Sequence, residues 1–158
     1  MDPGVRKRTL RLMSNGLYVM TASNGTRHGA ATLTWVSQAS FKPPLVMAAV
    51  RQTSNVFQCL AESRVAAIHI LDADQQDMAQ RFFSTTRVVD GTINGEPFEP
   101  GVTRAPILKN ARAHVECEVR HIFDRGDHAV VVLEVVAAGC DGEVHPLTVA
   151  ASPWEYGG

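Results

Sequence analysis

The sequence predicts a mainly β protein, a barrel of Greek-key type built from six or seven short strands with a few short helices inserted. Three observations predict it. Apolar runs of five to eight residues recur along the chain at strand length. Turn chemistry separates them, with Asn-Gly, Asp-Gly and Arg-Gly-Asp between successive runs. One stretch, Ala111 to Phe123, alternates apolar and polar residues with the period of two that a half-buried strand requires.

In order, Arg6 to Met13 reads as a short basic helix closed by Asn15-Gly16. Leu17 to Thr21 is a strand, Ser23 to Thr26 a tight turn, and Gly29 to Thr34 the return strand. In the return strand the small Ala30 and Ala31 leave room for a backbone or a flat ligand. Thr32 to Pro44 then packs hydroxyls, an amide and a tryptophan between apolar runs, and Pro43-Pro44 ends it because neither proline can donate to a ladder. Leu45 to Val50, apolar on both faces, is placed centrally. Ser54 is an N-cap opening a helix to Ser63, Arg64 to Leu71 is a strand, and Asp74 to Phe83 is a second short helix. Ser84 to Pro106 is irregular, and a connection of that length is functional or carries a small hairpin. In Ala111 to Phe123, Val115, Cys117, Val119 and Phe123 face inward while His114, Glu116 and Arg120 face outward. Ala129 to Ala138 and Val144 to Val149 complete the strands before a tail ending in Trp154 and Tyr156.

With 158 residues, 45% of them hydrophobic, the chain forms one domain, residues 1–158, with a sizeable core. A net charge of −1 excludes a broad basic surface for nucleic acid, so any anion site is local. Three cysteines without a CxxC pair argue for reduced thiols and a cytoplasmic protein. No run approaches the roughly 20 apolar residues of a membrane span.

Two stretches carry candidate chemistry. Arg51 ends a strand, and Ser54 with Asn55 opens a helix. Free N–H groups, a partial positive charge and a guanidinium would together seat a phosphate. The alternative is an ordinary capped helix beside a surface arginine. Thr32, Thr34, Ser37 and Ser40, with Gln38, would read the polar edge of a heterocycle, or else satisfy their own backbone. Among six histidines none has metal-ligand spacing. His114 and Glu116 mimic an HxE zinc pair but lack the downstream Pro-Cys-x-x-Cys, so no metal is expected. His128, beside Asp127 at a strand mouth, is the histidine best placed to meet a ligand, or is a turn residue held by that aspartate. Cys59 and Cys117 read as core residues. Neither a GxGxxG nor a P-loop is present.

Gly16 to Ala22 and Thr32 to Pro44, continued by Ala49 to Arg51, Ser54, Ala61 to Ser63, Glu116-Cys117, Asp127-His128, Glu134-Val135, Leu147-Thr148 and Trp154 to Gly158, resemble the flavin reductase-like family. The resemblance is strongest to the flavin reductase domains of flavodiiron proteins and high-molecular-weight rubredoxin. It implies a six-stranded antiparallel Greek-key split barrel forming a homodimer, with FMN (or FAD) bound near the interface. Thr32, Leu33, Thr34, Trp35, Ser37, Gln38, Ala39 and Ser40 would line the flavin ring and ribityl chain, and Arg51, Ser54 and Asn55 would hold its phosphate. Phe82, Phe83, Trp154 and Tyr156 would shape the pocket, and His128 would stand where nicotinamide stacks. The implied activity is hydride transfer from NADH or NADPH to the flavin, with the electrons passed to a monooxygenase or other redox partner. The rival reading is a non-catalytic FMN-binding electron carrier or sensor. Without the cysteines of a rubredoxin domain or a diiron domain, the chain is expected to act alone or with a separate partner.

Overall fold

The computed structural model describes residues 1–158. Its main sheet has seven strands in the order β2-β1-β5-β10-β11-β4-β3. The strands are β1 (Tyr18–Ser23), β2 (His28–Leu33), β3 (Val36–Ser40), β4 (Leu45–Arg51), β5 (Val65–Ile70), β10 (Ala113–Phe123) and β11 (His128–Cys140), with every neighbouring pair antiparallel. The two edge strands, β2 and β3, are consecutive in the chain and separated only by Thr34 and Trp35. Two residues reach no further than about 10 Å, so the sheet curls until its edges meet at this corner. A second, four-stranded sheet follows the order β6 (Val88–Val89), β7 (Thr92–Ile93), β8 (Glu96–Pro100), β9 (Pro106–Leu108). Mainly β with short helices is the observed class, but the strands number eleven in two sheets.

Three helices are inserted. α1 (Pro3–Leu10) begins earlier than its basic run indicates, because Asp2 caps it (Val5 N–H to Asp2 Oδ1, 2.7 Å) and proline suits a first turn. It ends at Arg11, not at Asn15-Gly16, and buries none of its residues. α2 (Asn55–Ser63) is capped by Ser54, whose Oγ accepts from the Phe57 amide at 3.2 Å. Its buried Val56, Cys59 and Leu60 share one face. α3 (Gln76–Arg81) is a turn and a half, shorter than its apolar pattern.

Apolar residues on the two faces of β1 serve two cores. Met20 and Ala22 join Leu33, Val50, Leu60, Ile68, Cys117 and Leu133 under α2. Val19 joins Leu71, Met78, Phe82, Ile93, Leu108 and Leu147 under α3 and the small sheet. Burial pushes the Cys117 thiol up to about 12, which leaves it an inert core residue.

Sequence expectations are met in part. The stretch from Ser84 does carry a hairpin, extended into the small sheet, its first strands joined by Asp90-Gly91 and Asn94-Gly95 turns with positive φ at all four residues. Val144 to Val149 forms no strand; only isolated bridges, Gly16 to Thr148 and Asp72 to Pro146, tie it down. Leu45–Arg51 lies inside the sheet, yet Met47 is 43% exposed, so one face of β4 is bare. In β10, register shifts at Glu116/Cys117 and Val119/His121 break the alternation. Phe123 consequently points to solvent. Glu116 keeps the face opposite Val115, Cys117 and Val119, but the turn at Val102 and Thr103 covers it and it is buried. The Glu116 carboxylate accepts from the Val102 and Thr103 amides (3.2 and 2.8 Å) and the Thr103 hydroxyl (2.8 Å). Burial pushes its pKa up, but these hydrogen bonds together hold it below the usual carboxylate range.

Candidate functional site

Where the edges of the curled sheet meet, a cavity of about 610 Å³ opens between β2, the end of β4, the first turn of α2, the segment after α3 and the C-terminal tail. The volume is that of a site for a sizeable small molecule. Thr32, Leu33, Thr34, Trp35, Arg51, Ser54, Asn55, Phe82, Phe83, His128, Trp154 and Tyr156 all line it. Ser37, Gln38, Ala39 and Ser40 do not. They lie on β3, an edge strand paired with β4, and Ser37 Oγ donates to the Gln38 carbonyl at 3.1 Å. The polar run is therefore two things: a cavity wall as far as Trp35, and a sheet edge beyond it.

The hydroxyls of the wall differ in what they already hold. Thr32 Oγ1 donates to the Ala79 carbonyl at 2.6 Å, tying β2 to α3. Thr34, 8% exposed, has an Oγ1 that is buried without any hydrogen-bond partner. An unpaired buried hydroxyl costs free energy unless something supplies its bond. Thr86, absent from the sequence-based set, accepts from the Ala30 amide at 2.9 Å and, with Thr53, Ser84, Thr85 and Ser152, adds hydroxyls to the lining. Ser84-Thr85-Thr86 is the same kind of hydroxyl run as Thr32 to Ser40, and that signal would have found it.

At one end of the cavity, Arg51 closes β4 and the N-terminus of α2 follows. First-turn amides have no partners inside a helix and carry its positive end. Ser54 Oγ also donates to the Arg51 carbonyl at 2.7 Å, clamping the strand end to the cap. Arg51 and these amides thus lie together at one end of the cavity. Gly29 lets β2 pack directly on this turn.

The other walls are aromatic. Trp35 meets His128 edge-on at a centroid distance of 5.0 Å and Tyr156 at 5.4 Å. Phe83 meets Trp154 at 4.9 Å, while Phe82 is buried beneath in the core. His128 Nδ1 lies 2.8 Å from Asp127 Oδ1. That bond, then the charge of His128, lowers the Asp127 pKa despite a small opposing effect of desolvation. No group of three or more His, Cys, Asp or Glu side chains is arranged to hold a metal ion.

Fold and site together define a mainly β protein with a cavity lined by hydroxyls, aromatic rings and an arginine beside a helix N-terminus. The flavin reductase like domain family matches residues 10–153, and the chain belongs to it. It is 30% identical over 138 residues to the FMN reductase (NADH) SmoA of Agrobacterium fabrum, covering 87% of this chain and 77% of that protein. It is 31% identical over 137 residues to diflavin flavoprotein A 1 of Synechocystis sp., covering 85% of this chain and 24% of that protein. The chain spans about a quarter of the length of the diflavin flavoproteins it matches. Among solved structures, the Streptomyces globisporus NADH:FAD oxidoreductase SgcE6, in complex with NAD and FAD fragments, superposes with a TM-score of 0.79 at 25% identity. That match covers 94% of this chain and 90% of the other. No helix is long and apolar enough to cross a membrane.

Proposed function

We propose that this chain is an NAD(P)H-dependent flavin reductase, binding FMN (or FAD through the same half) in the 610 Å³ cavity and passing hydride to it from NADH or NADPH. The observation that carries this reading is the buried, unpartnered Thr34 hydroxyl, set in the same cavity as an anion seat and two aromatic walls. A flavin offers ring heteroatoms, a flat face and a phosphate, which is the set of partners this lining lacks. The names of the Agrobacterium and Streptomyces relatives support the same activity.

In this reading Arg51, Ser54 and Asn55 hold the phosphate, Thr32 to Trp35 line the ring and ribityl chain, and Phe82, Phe83, Trp154 and Tyr156 shape the pocket. A bound flavin supplies the hydride-accepting ring, so the protein binds, orients and excludes water. His128, fixed by Asp127, orients the nicotinamide against that ring. Electrons then pass to a separate acceptor, such as a monooxygenase or another redox partner. Residues 1–158 act as one domain, the seven-stranded curled sheet serving as the family's split barrel. The protein works in the cytoplasm as a homodimer through the outer face of β4 and β11, where Met47 and Val130 are exposed.

Anaerobic mixing of the FMN-loaded protein with NADH or NADPH tests the activity. Loss of the visible absorbance of oxidised flavin is expected, and a flavin left oxidised by both donors would sink the proposal. His128→Ala is expected to slow that bleaching while FMN binds as before. Arg51→Ala is expected to weaken FMN by about 1.5 kcal/mol, roughly tenfold, the lower end for a charge-assisted bond because Arg51 is exposed. Fluorescence titration with FMN measures it, and unchanged affinity removes Arg51 from the phosphate seat. Met47→Asp is expected to shift the dimer to monomer in gel filtration, and an unaltered elution volume rules that face out.

A further inference from the structure

We infer that the C-terminal strap, residues 153–157, is a gate over the cavity, with Tyr156 occupying His128 and Arg11 acting as the latch. The inference rests on the reading of His128 as the nicotinamide-side residue and adds what controls access to it.

The carboxylate of Asp127 is an acceptor only, so the His128 nitrogen 2.8 Å away carries a proton. Tyr156 OH lies 3.3 Å from Nε2 and is its hydrogen-bond partner. Both ring nitrogens are thereby engaged, and the side chain of His128 is only 12% exposed. A nicotinamide that is to bond His128 must first displace Tyr156. The displaced bond is long, hence weak, and Tyr156 itself is 41% exposed, so it sits as a plug at the mouth.

The strap is built to leave. From Pro153 onward no main-chain hydrogen bond ties it to the body; the last is Ser152 to Val149. A segment so attached belongs to the low-stability end of a fold. Beyond the Tyr156–His128 contact and the bond from the Trp154 amide to Ser152 Oγ, its polar fastening comes from one guanidinium: Arg11 Nη1 bonds Glu155 Oε2 at 2.6 Å, and Arg11 Nε donates to the Gly157 carbonyl at 2.9 Å. Arg11 follows α1, a helix with no buried residue, so the latch at Glu155 and Gly157 can open while Trp154 stays packed against the second core. On the inner side, Trp154 against Phe83 is the hinge-side contact that keeps the strap near the cavity.

An exposed ion pair biases such an equilibrium only modestly. Arg11→Ala is therefore expected to raise the open population about two- to fivefold, and to lower KM for NADH by that factor with kcat unchanged. Arg11→Lys, which can still pair with Glu155, is expected to restore part of the difference. A second readout needs no flavin: the ring ¹⁵N resonance of His128 Nε2 in the flavin-free protein. Tyr156→Phe is expected to move that resonance, and Arg11→Ala to move it the same way by less. An Arg11→Ala KM equal to or above that of the wild type overturns the gate, as does an Nε2 resonance untouched by Tyr156→Phe. A wild-type protein whose flavin neither NADH nor NADPH reduces instead fails the flavin reductase reading, and is told apart from failure of the latch by the resonance experiment.

Discussion

Gly29→Ala is expected to cost about 3 kcal/mol of stability and to lower FMN affinity roughly tenfold. A Cβ at this position would lie 2.5 Å from both Val56 N and Val56 Cα and 2.6 Å from Asn55 C. All three atoms are backbone, so no side chain can swing aside. Overpacked sites usually cost 1–3 kcal/mol, and an immovable obstacle places this one at the upper end. Relief requires the first turn of α2 to draw away from β2, and that turn, beside Arg51, is the proposed phosphate seat. Stability and ligand binding should therefore fall together. Gly126→Ala is the control: its nearest neighbour would be a backbone atom of His128 at 3.6 Å, ordinary contact, and it should unfold near the wild-type urea midpoint. If urea midpoints and FMN titrations of Gly29→Ala matched the wild type, α2 would not be held against β2 as described.

The parts of this architecture legible in the sequence were those dictated by neighbours along the chain. Asn24-Gly25, Ser54 as a cap, and the inner face of α2 each follow from local chemistry. Asp2-Pro3 is an equally local start signal for α1, and it acts ahead of the basic run. The misplaced side chains of β10 had a different cause. Strict alternation assumes an unbroken register, and the shift between Val119 and His121 reassigns Phe123 without leaving a mark in residue type. Nor does alternation reveal that the turn at Val102 and Thr103 folds over Glu116. The cavity was legible in pieces only. Thr34, Thr86 and Trp154 come from three distant stretches, and what joins them is the meeting of the two sheet edges at Thr34-Trp35. That same corner divides the hydroxyl run, leaving Ser37 to Ser40 on the edge strand.

Acidification from pH 6.5 to 4 is expected to remove about 3 kcal/mol of stability through His69 alone. The side chain is wholly buried, with Nδ1 3.0 Å from the Val19 carbonyl and Nε2 accepting from the Leu108 amide at 3.0 Å. It thus ties β5 to β1 and to β9. Burial depresses its pKa to about 4, opposed by the Val19 carbonyl and reinforced by nearby His114. Protonation would set a new N–H on Nε2 directly against the Leu108 N–H, which accounts physically for the neutral form. Below pH 6.5 the unfolded chain gains a proton that the folded chain refuses until pH 4, so stability declines across that window and this contribution levels off beneath it. His28, depressed by burial against Phe98, adds in the same direction. Glu116 acts in a lower range: its folded pKa is depressed, so its contribution is complete above the ordinary carboxylate value and disappears as pH drops through the folded one. Urea midpoints measured from pH 7 to 4 isolate the histidine contributions, and continuing the series below pH 4 reads that of Glu116. A His69→Gln variant, which keeps a donor and an acceptor but cannot titrate, should lose most of the slope between pH 6.5 and 4. A wild-type protein equally stable at both ends of that window would show that His69 accepts its proton within the fold, and that the bond from Leu108 does not hold the ring neutral.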